Sequence, residues 1–154
     1  MTTLLVVLLV TVAVVGYLVI RTKTSGPVPS ETSQIARLPG PGTFDFDIVG
    51  ESKYQEALEA ISGGREREGV EKRTEATLVL EDQNPHDNRA VRVDIQGRTV
   101  GYLSRDDARS YRKQIAKAGH PRLTAVCDAL IVGGWHRSKK DVGSFGVKLD
   151  LPIA

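Results

Sequence analysis

The chain has 154 residues, 40% of them hydrophobic and 5% aromatic, with one cysteine and a formal net charge of +2. A single cysteine excludes an internal disulfide framework and a cysteine-rich zinc site, and the scarcity of aromatics leaves the core mostly aliphatic. The small net charge hides an uneven spread: residues 44–97 carry seven bases and thirteen acids, whereas residues 98–140 carry ten bases and three acids, a net of +7. A block of that sign marks either an anionic partner or a solvated helix face.

Leu4 to Ile20 is an uncharged apolar run. As a helix it reaches roughly 28 Å, close to the hydrocarbon thickness of a bilayer. A cleaved signal peptide is the competing reading. That normally needs a basic start and a small-x-small cleavage site, and neither is present. The expectation is therefore a transmembrane anchor over residues 1–21. Arg21 and Lys23 flank only its C-terminal side, which predicts an outside N-terminus, a cytoplasmic remainder and a single-pass protein of the cell membrane. Residues 22–43 are rich in Pro, Gly, Ser and Thr and read as a flexible linker, leaving residues 44–154 as the folded domain.

In that domain Phe44, Phe46 and Ile48 alternate with Asp45 and Asp47, the pattern of a half-buried strand that Gly50 ends. Tyr54, Leu58 and Ile61 then recur at helical spacing, with Ser52 as the expected N-cap and Gly63-Gly64 as the stop. The charged stretch that follows, 64–73, has no periodicity and reads as a loop. Residues 75–81 and 89–95 read as strands on either side of a polar knot. Gln96-Gly97 predicts a tight turn into a return strand over 98–104. Ser104 caps a second helix with Asp106 and Asp107 in its first turn and bases toward its end, an arrangement that suits the helix dipole. Ala108, Tyr111, Ile115 and Ala118 form its apolar face. Two long strands, 122–135 and 144–153, flank the basic tip 136–143. The sum is a mainly β domain with two short helices, a six-stranded antiparallel barrel for which an oligonucleotide-binding-like (OB-like) barrel is one solution, preceded by one transmembrane helix and a linker.

The knot, "DQNPHDN" (82–88), offers two readings. Asp82, Asn84, Asp87 and Asn88 are turn formers that bond nearby backbone amides, and the same side chains suit a ligand. A calcium loop is disfavoured because the EF-hand glycine and distal glutamate are missing. Zinc is disfavoured because His86, His120, His136 and Cys127 lack ligand spacing. Cys127 falls on the apolar phase of a strand and reads as core. No nucleophile–base signature and no phosphate loop stands out, so the chain reads as non-catalytic and without a cofactor.

Taken together, "DIVGESKYQEAL", "ATLVLEDQNPHDNRAVRVDIQGRTVGYLSRDDA", "GGW" and "FGVKLDL" resemble a HIRAN domain over roughly residues 44–152. The middle piece is the most specific. The resemblance implies a modified oligonucleotide-binding barrel of a family attached to DNA translocases, in which single-stranded DNA, in one case a free 3′-hydroxyl end, is the ligand. Asn84, Pro85 and Asp87 match the family's knot, with Asp87 as the acid near a terminal hydroxyl. Tyr54 matches an aromatic. His86 stands where end-binding members carry a tyrosine, and Ser52 and Lys53 stand where they carry an arginine and an aromatic.

The expected function is a membrane-tethered module for single-stranded DNA or DNA ends, using Lys53, Tyr54, Asn84, His86, Asp87, Tyr102, Arg105, Arg109, Lys113 and Trp135. For the last, packing against the barrel is the equal alternative, since indoles favour both settings. Phosphate contacts would supply affinity and aromatic stacking a sequence-tolerant grip. The alternative is a protein-interaction or scaffold module at the membrane, whose basic face meets anionic lipid or an acidic partner.

Overall fold

The computed structural model describes residues 35–153. The expected anchor and the first part of the linker, to residue 34, lie outside the described residues. Among the described residues no helix is long and apolar enough to cross a membrane.

The elements in chain order are β1 (Ile35–Leu38), β2 (Phe46–Asp47), a 3-10 turn (Glu51–Lys53), α1 (Gln55–Ser62), β3 (Val70–Glu81), β4 (Ala90–Ile95), β5 (Arg98–Tyr102), α2 (Arg105–Lys117), β6 (Thr124–Gly133), β7 (His136–Ser138), β8 (Asp141–Val142) and β9 (Phe145–Asp150). Seven strands make one sheet in the order β2-β9-β6-β3-β4-β5, with β1 added on β6. All its pairings are antiparallel except that of β1. Strand β6 organises the sheet. Its residues 125–133 pair with β3, while its other edge is shared end to end by β1 at 124–127 and β9 at 128–133.

The sheet curls until its two ends touch. Just past β2, the Val49 amide donates to the Tyr102 carbonyl at 2.8 Å, and the Tyr102 amide returns the bond at 2.9 Å. Gly101 makes this closure possible. A Cβ there would sit 2.7 Å from both Ile48 Cδ1 and the Val49 carbonyl oxygen.

Period-two patterning builds the interior. Ala76 and Leu78, then Val91, Val93 and Ile95, then Ala125, Cys127, Ala129 and Ile131 all point inward and are buried, as alternate strand positions must be. Helix α2 lays Ala108, Tyr111 and Ile115 on this core, and α1 adds Leu58 and Ile61. Burying each large aliphatic side chain is worth about 1.5–3 kcal/mol. The β4–β5 turn has positive φ at both Gln96 and Gly97, the type I′ geometry that matches strand twist. Ser104 caps α2 as expected, accepting from the Asp107 amide at 3.2 Å.

Several sequence expectations need correction. There are nine strands among the described residues rather than six. Ile35–Leu38, expected within the linker, is strand β1. The supposed loop over 64–73 contributes the first four residues of β3, whose Val70 is buried while Glu71 is exposed. Glu71 and Arg73 line the solvent side of this strand, which pairs with the far end of β6, while half-buried Lys72 donates to the Ile61 carbonyl at 2.8 Å. Ser52 does not cap α1. It sits in the 3-10 turn, and Tyr54 occupies the N-cap position with no side-chain cap. Phe44 lies outside β2 at a φ of 53°, buried with the Arg73 guanidinium 5.0 Å over its ring. The basic tip is a separate two-stranded ribbon, β7–β8.

Candidate nucleic-acid interface

The knot between β3 and β4 is built by its own side chains. Asn84 Oδ1 accepts from the His86 amide at 2.9 Å and the Asp87 amide at 3.3 Å. Asp87 Oδ1 accepts from the Arg89 amide at 2.9 Å. These are the short-range side-chain turns that Asn and Asp form readily. Asn84 Nδ2 also donates to Glu81 Oε2 at 2.7 Å. The other Glu81 oxygen accepts from Arg92 at 2.8 Å, and Arg92 forks onto Asp94 with two bonds of 2.9 Å. The Asp94 bonds first, and then Glu81, raise the Arg92 pKa against the opposing effect of burial. The knot therefore stands on a charged network fixed to the faces of β3 and β4.

A second support comes from α2, one that the sequence did not disclose. Arg112 donates from Nε to the Arg89 carbonyl at 2.8 Å, from one terminal nitrogen to the Ala90 carbonyl at 3.0 Å, and from the other to Asp82 Oδ1 at 2.6 Å. One guanidinium thus grips both the entry and the exit of the knot. Helical spacing places Arg112 beside the apolar face of α2, but nothing in the pattern says that it turns inward while Lys113 stays exposed.

The knot, the start of α2, the end of β5 and the 3-10 turn enclose an open cleft of about 540 Å³. That is within the usual range for small-molecule pockets. Lys53, Tyr54, Asn84, His86, Asp87, Tyr102 and Arg105 all line it, with Val49 and Leu103 giving it an apolar part. Burial, with Glu81 and the neighbouring Tyr54 phenol, pushes the Tyr102 hydroxyl up to about 12, so this ring is neutral throughout the physiological range. Asp87 keeps Oδ2 toward Arg105, 3.8 Å from its Nε. A neighbouring hollow of about 510 Å³ lies along Leu80–Pro85. Its lining carries two acids and neither a cation nor an aromatic ring, which makes it a poor seat for an anion.

Seven of the ten expected site residues therefore meet in one place. Arg109 and Lys113 lie further along α2. Trp135 is elsewhere: its indole nitrogen donates to Asp141 Oδ1 at 2.9 Å, its ring fills the space a side chain at Gly143 would need, and Arg137 lies 6.0 Å from its centre. It packs the root of the β7–β8 ribbon and does not share a groove with Tyr102. Among the described residues no cluster of three or more His, Cys, Asp or Glu suits a metal ion. Cys127 is fully buried, and burial, with Asp128 and Asp150, pushes its thiol up to about 12.

The structure is thus a small curled β-sheet domain with an open, tyrosine-lined cleft beside a cationic helix. The HIRAN domain model matches residues 41–130, and the chain belongs to the HIRAN domain family. HIRAN domains are generally DNA-binding modules that recognise single strands or 3′ ends. No curated protein and no solved structure matches the chain.

Proposed function

We propose that this HIRAN domain binds single-stranded DNA without catalysing a reaction on it, and that the cleft takes the terminal nucleotide. The observation that carries this is the meeting of Tyr54 and Tyr102 with the knot's Asn84, His86 and Asp87 in a single cleft. Two tyrosines offer stacking faces, each worth about 1–3 kcal/mol per base. Lys53 and Arg105 offer charge to the adjoining phosphate. Asp87 Oδ2, which faces Arg105 at 3.8 Å and takes no hydrogen bond among the described residues, is a hydroxyl acceptor, so a 3′-hydroxyl suits it and a 3′-phosphate repels it. His86 replaces one aromatic face with a smaller ring that still stacks on a base.

The test is fluorescence anisotropy of the full chain with labelled oligonucleotides ending in a 3′-hydroxyl or a 3′-phosphate. The hydroxyl end should bind more tightly, and Tyr54→Ala should weaken it about tenfold or more, consistent with the loss of one stacking face. Equal affinity for both ends, or no binding at low salt, would show that the cleft does not hold a DNA end.

The module is further proposed to be membrane-tethered, single-pass, with its domain in the cytoplasm. The tether rests on the apolar run Leu4–Ile20 and the flanking Arg21 and Lys23 alone. Alkaline extraction of membranes tests it: a spanning helix stays in the pellet, and release into the supernatant would refute the anchor.

A further inference from the structure

We propose that Arg105, Arg109, Lys113 and Lys117 form a phosphate track along α2 that leads a single strand of nucleic acid out of the cleft; this rests on the proposed function of the cleft. The four cations recur at intervals of four residues, and all are exposed. That spacing puts them on one slowly turning stripe, about 6 Å apart along the helix axis and about 18 Å from first to last. Neighbouring phosphates of an extended single strand lie a similar distance apart. The stripe begins inside the cleft, because Arg105 is part of its wall.

The regular four-residue spacing along one helix distinguishes this stripe. Lys53, Arg89, Arg98, Arg122, Lys139 and Lys140 also lack an ion-pair partner among the described residues, but they form no such row, whereas other cations are held by acids. Arg37 and Arg92 each contact two carboxylates closely, and Arg65, Arg112, Arg137 and Lys148 each contact one within 3.1 Å. On the stripe, Arg105 and Arg109 have only distant partners, at 3.8 Å each. Lys113 and Lys117 have no ion-pair partner among the described residues. No acid occurs between Ala108 and Leu123, and the nearby Asp82 is held by Arg112 at 2.6 Å. The β7–β8 ribbon, the other basic surface, is interrupted by acids: Arg137 contacts both Glu68 and Asp141.

The experiment measures binding of the full chain to octathymidylate across a salt series, comparing the parent with Lys113→Glu/Lys117→Glu and, separately, with Tyr54→Ala. Both lysines are exposed and lack structural partners, and a thermal melt checks that the doubly reversed chain is folded. Losing two phosphate contacts on a single strand should lower the slope of log affinity against log salt by about 1.4. The gap between the two proteins then narrows about sevenfold between 50 and 200 mM salt. Tyr54→Ala should lower affinity and leave the slope unchanged. An unchanged slope in the reversed chain, with Tyr54→Ala still weakening binding, overturns the track and leaves the cleft standing. No effect of Tyr54→Ala overturns the cleft and with it a path leading out of it. If the reversal abolishes binding to phosphatidylserine vesicles while octathymidylate affinity holds, the face serves a lipid surface, and the track is overturned.

Discussion

Arg112→Ala removes the one side chain that ties α2 to both ends of the knot. Its three bonds are not equal. The Asp82 carboxylate is 61% exposed, so this ion pair contributes little. The bonds to the Arg89 and Ala90 carbonyls are donated by a charged group, a kind worth about 1.5–3 kcal/mol each. Water replaces the exposed bond to Arg89 at small cost, while the partly buried bond to Ala90 is fully lost. The expected loss is therefore about 2 kcal/mol, concentrated in the knot. In native-state hydrogen exchange this corresponds to roughly thirtyfold faster opening of the Ala90 and Asp87 amides, since 1.4 kcal/mol is a factor of ten. The buried strand centre at Val93 should keep its protection relative to global unfolding. Asp82→Ala serves as the control and should change little. Arg112→Lys keeps the charge but not the fork, and should recover only part of the loss. Oligonucleotide affinity of Arg112→Ala should drop only in proportion to the fraction of molecules whose knot stays closed, so by less than the exchange rate rises. Unchanged protection at Ala90 and Asp87, or an Asp82→Ala effect equal to that of Arg112→Ala, would refute the clamp.

Gly101→Ala should cost about 2–4 kcal/mol in urea unfolding, because its Cβ meets the Val49 backbone at 2.7 Å and overpacking against backbone has no easy relief; unchanged stability would mean the seam is loose. Cys127 should resist alkylation at pH 8 until the chain is unfolded, since its thiol is buried and pushed up to about 12; rapid modification of the native protein would contradict the packing. Cys127, Tyr111 and Tyr102 all have folded pKa values raised to about 12 from 9.0, 10.0 and 10.0. The folded state holds more protons than the unfolded one in this window. Their contribution to stability is complete below pH 9 and declines from there up to about pH 12, so chemical unfolding midpoints should fall over that range; a flat profile would contradict it.

The interior was legible because alternation is a geometric necessity. Val91, Val93 and Ile95 could belong only to a strand with one buried face, and the Ser104 cap and the Gln96-Gly97 turn are local chemistry. What escaped the sequence was non-local. Ile35–Leu38 becomes strand only because the edge of β6 has a vacancy beyond the end of β9, and four residues cannot announce a partner some ninety positions away. Val70–Arg73 was hidden by its charges, Glu71 and Arg73 facing solvent and Lys72 reaching the Ile61 carbonyl on α1. Trp135 illustrates the same limit at the site: its indole suits stacking on a base or packing on Gly143, and only the fold chooses. The resemblance named the knot and Tyr54 together, and the fold brings both to one cleft, whereas the inward turn of Arg112 depends on where α2 lies across the sheet.

The seam at Val49 and Tyr102 gives the molecule a built-in reporter. Both residues tie the two ends of the sheet, at β2 and β5, together, and both also line the cleft. Occupancy of the cleft and cohesion of the sheet are therefore linked, and whatever fits between them resists melting of the whole domain. A ligand at a hundred times its dissociation constant raises stability by about 2.7 kcal/mol, several degrees in a melting curve for a domain of this size. Melting temperature alone can then rank candidate DNA ends, with no label on either partner.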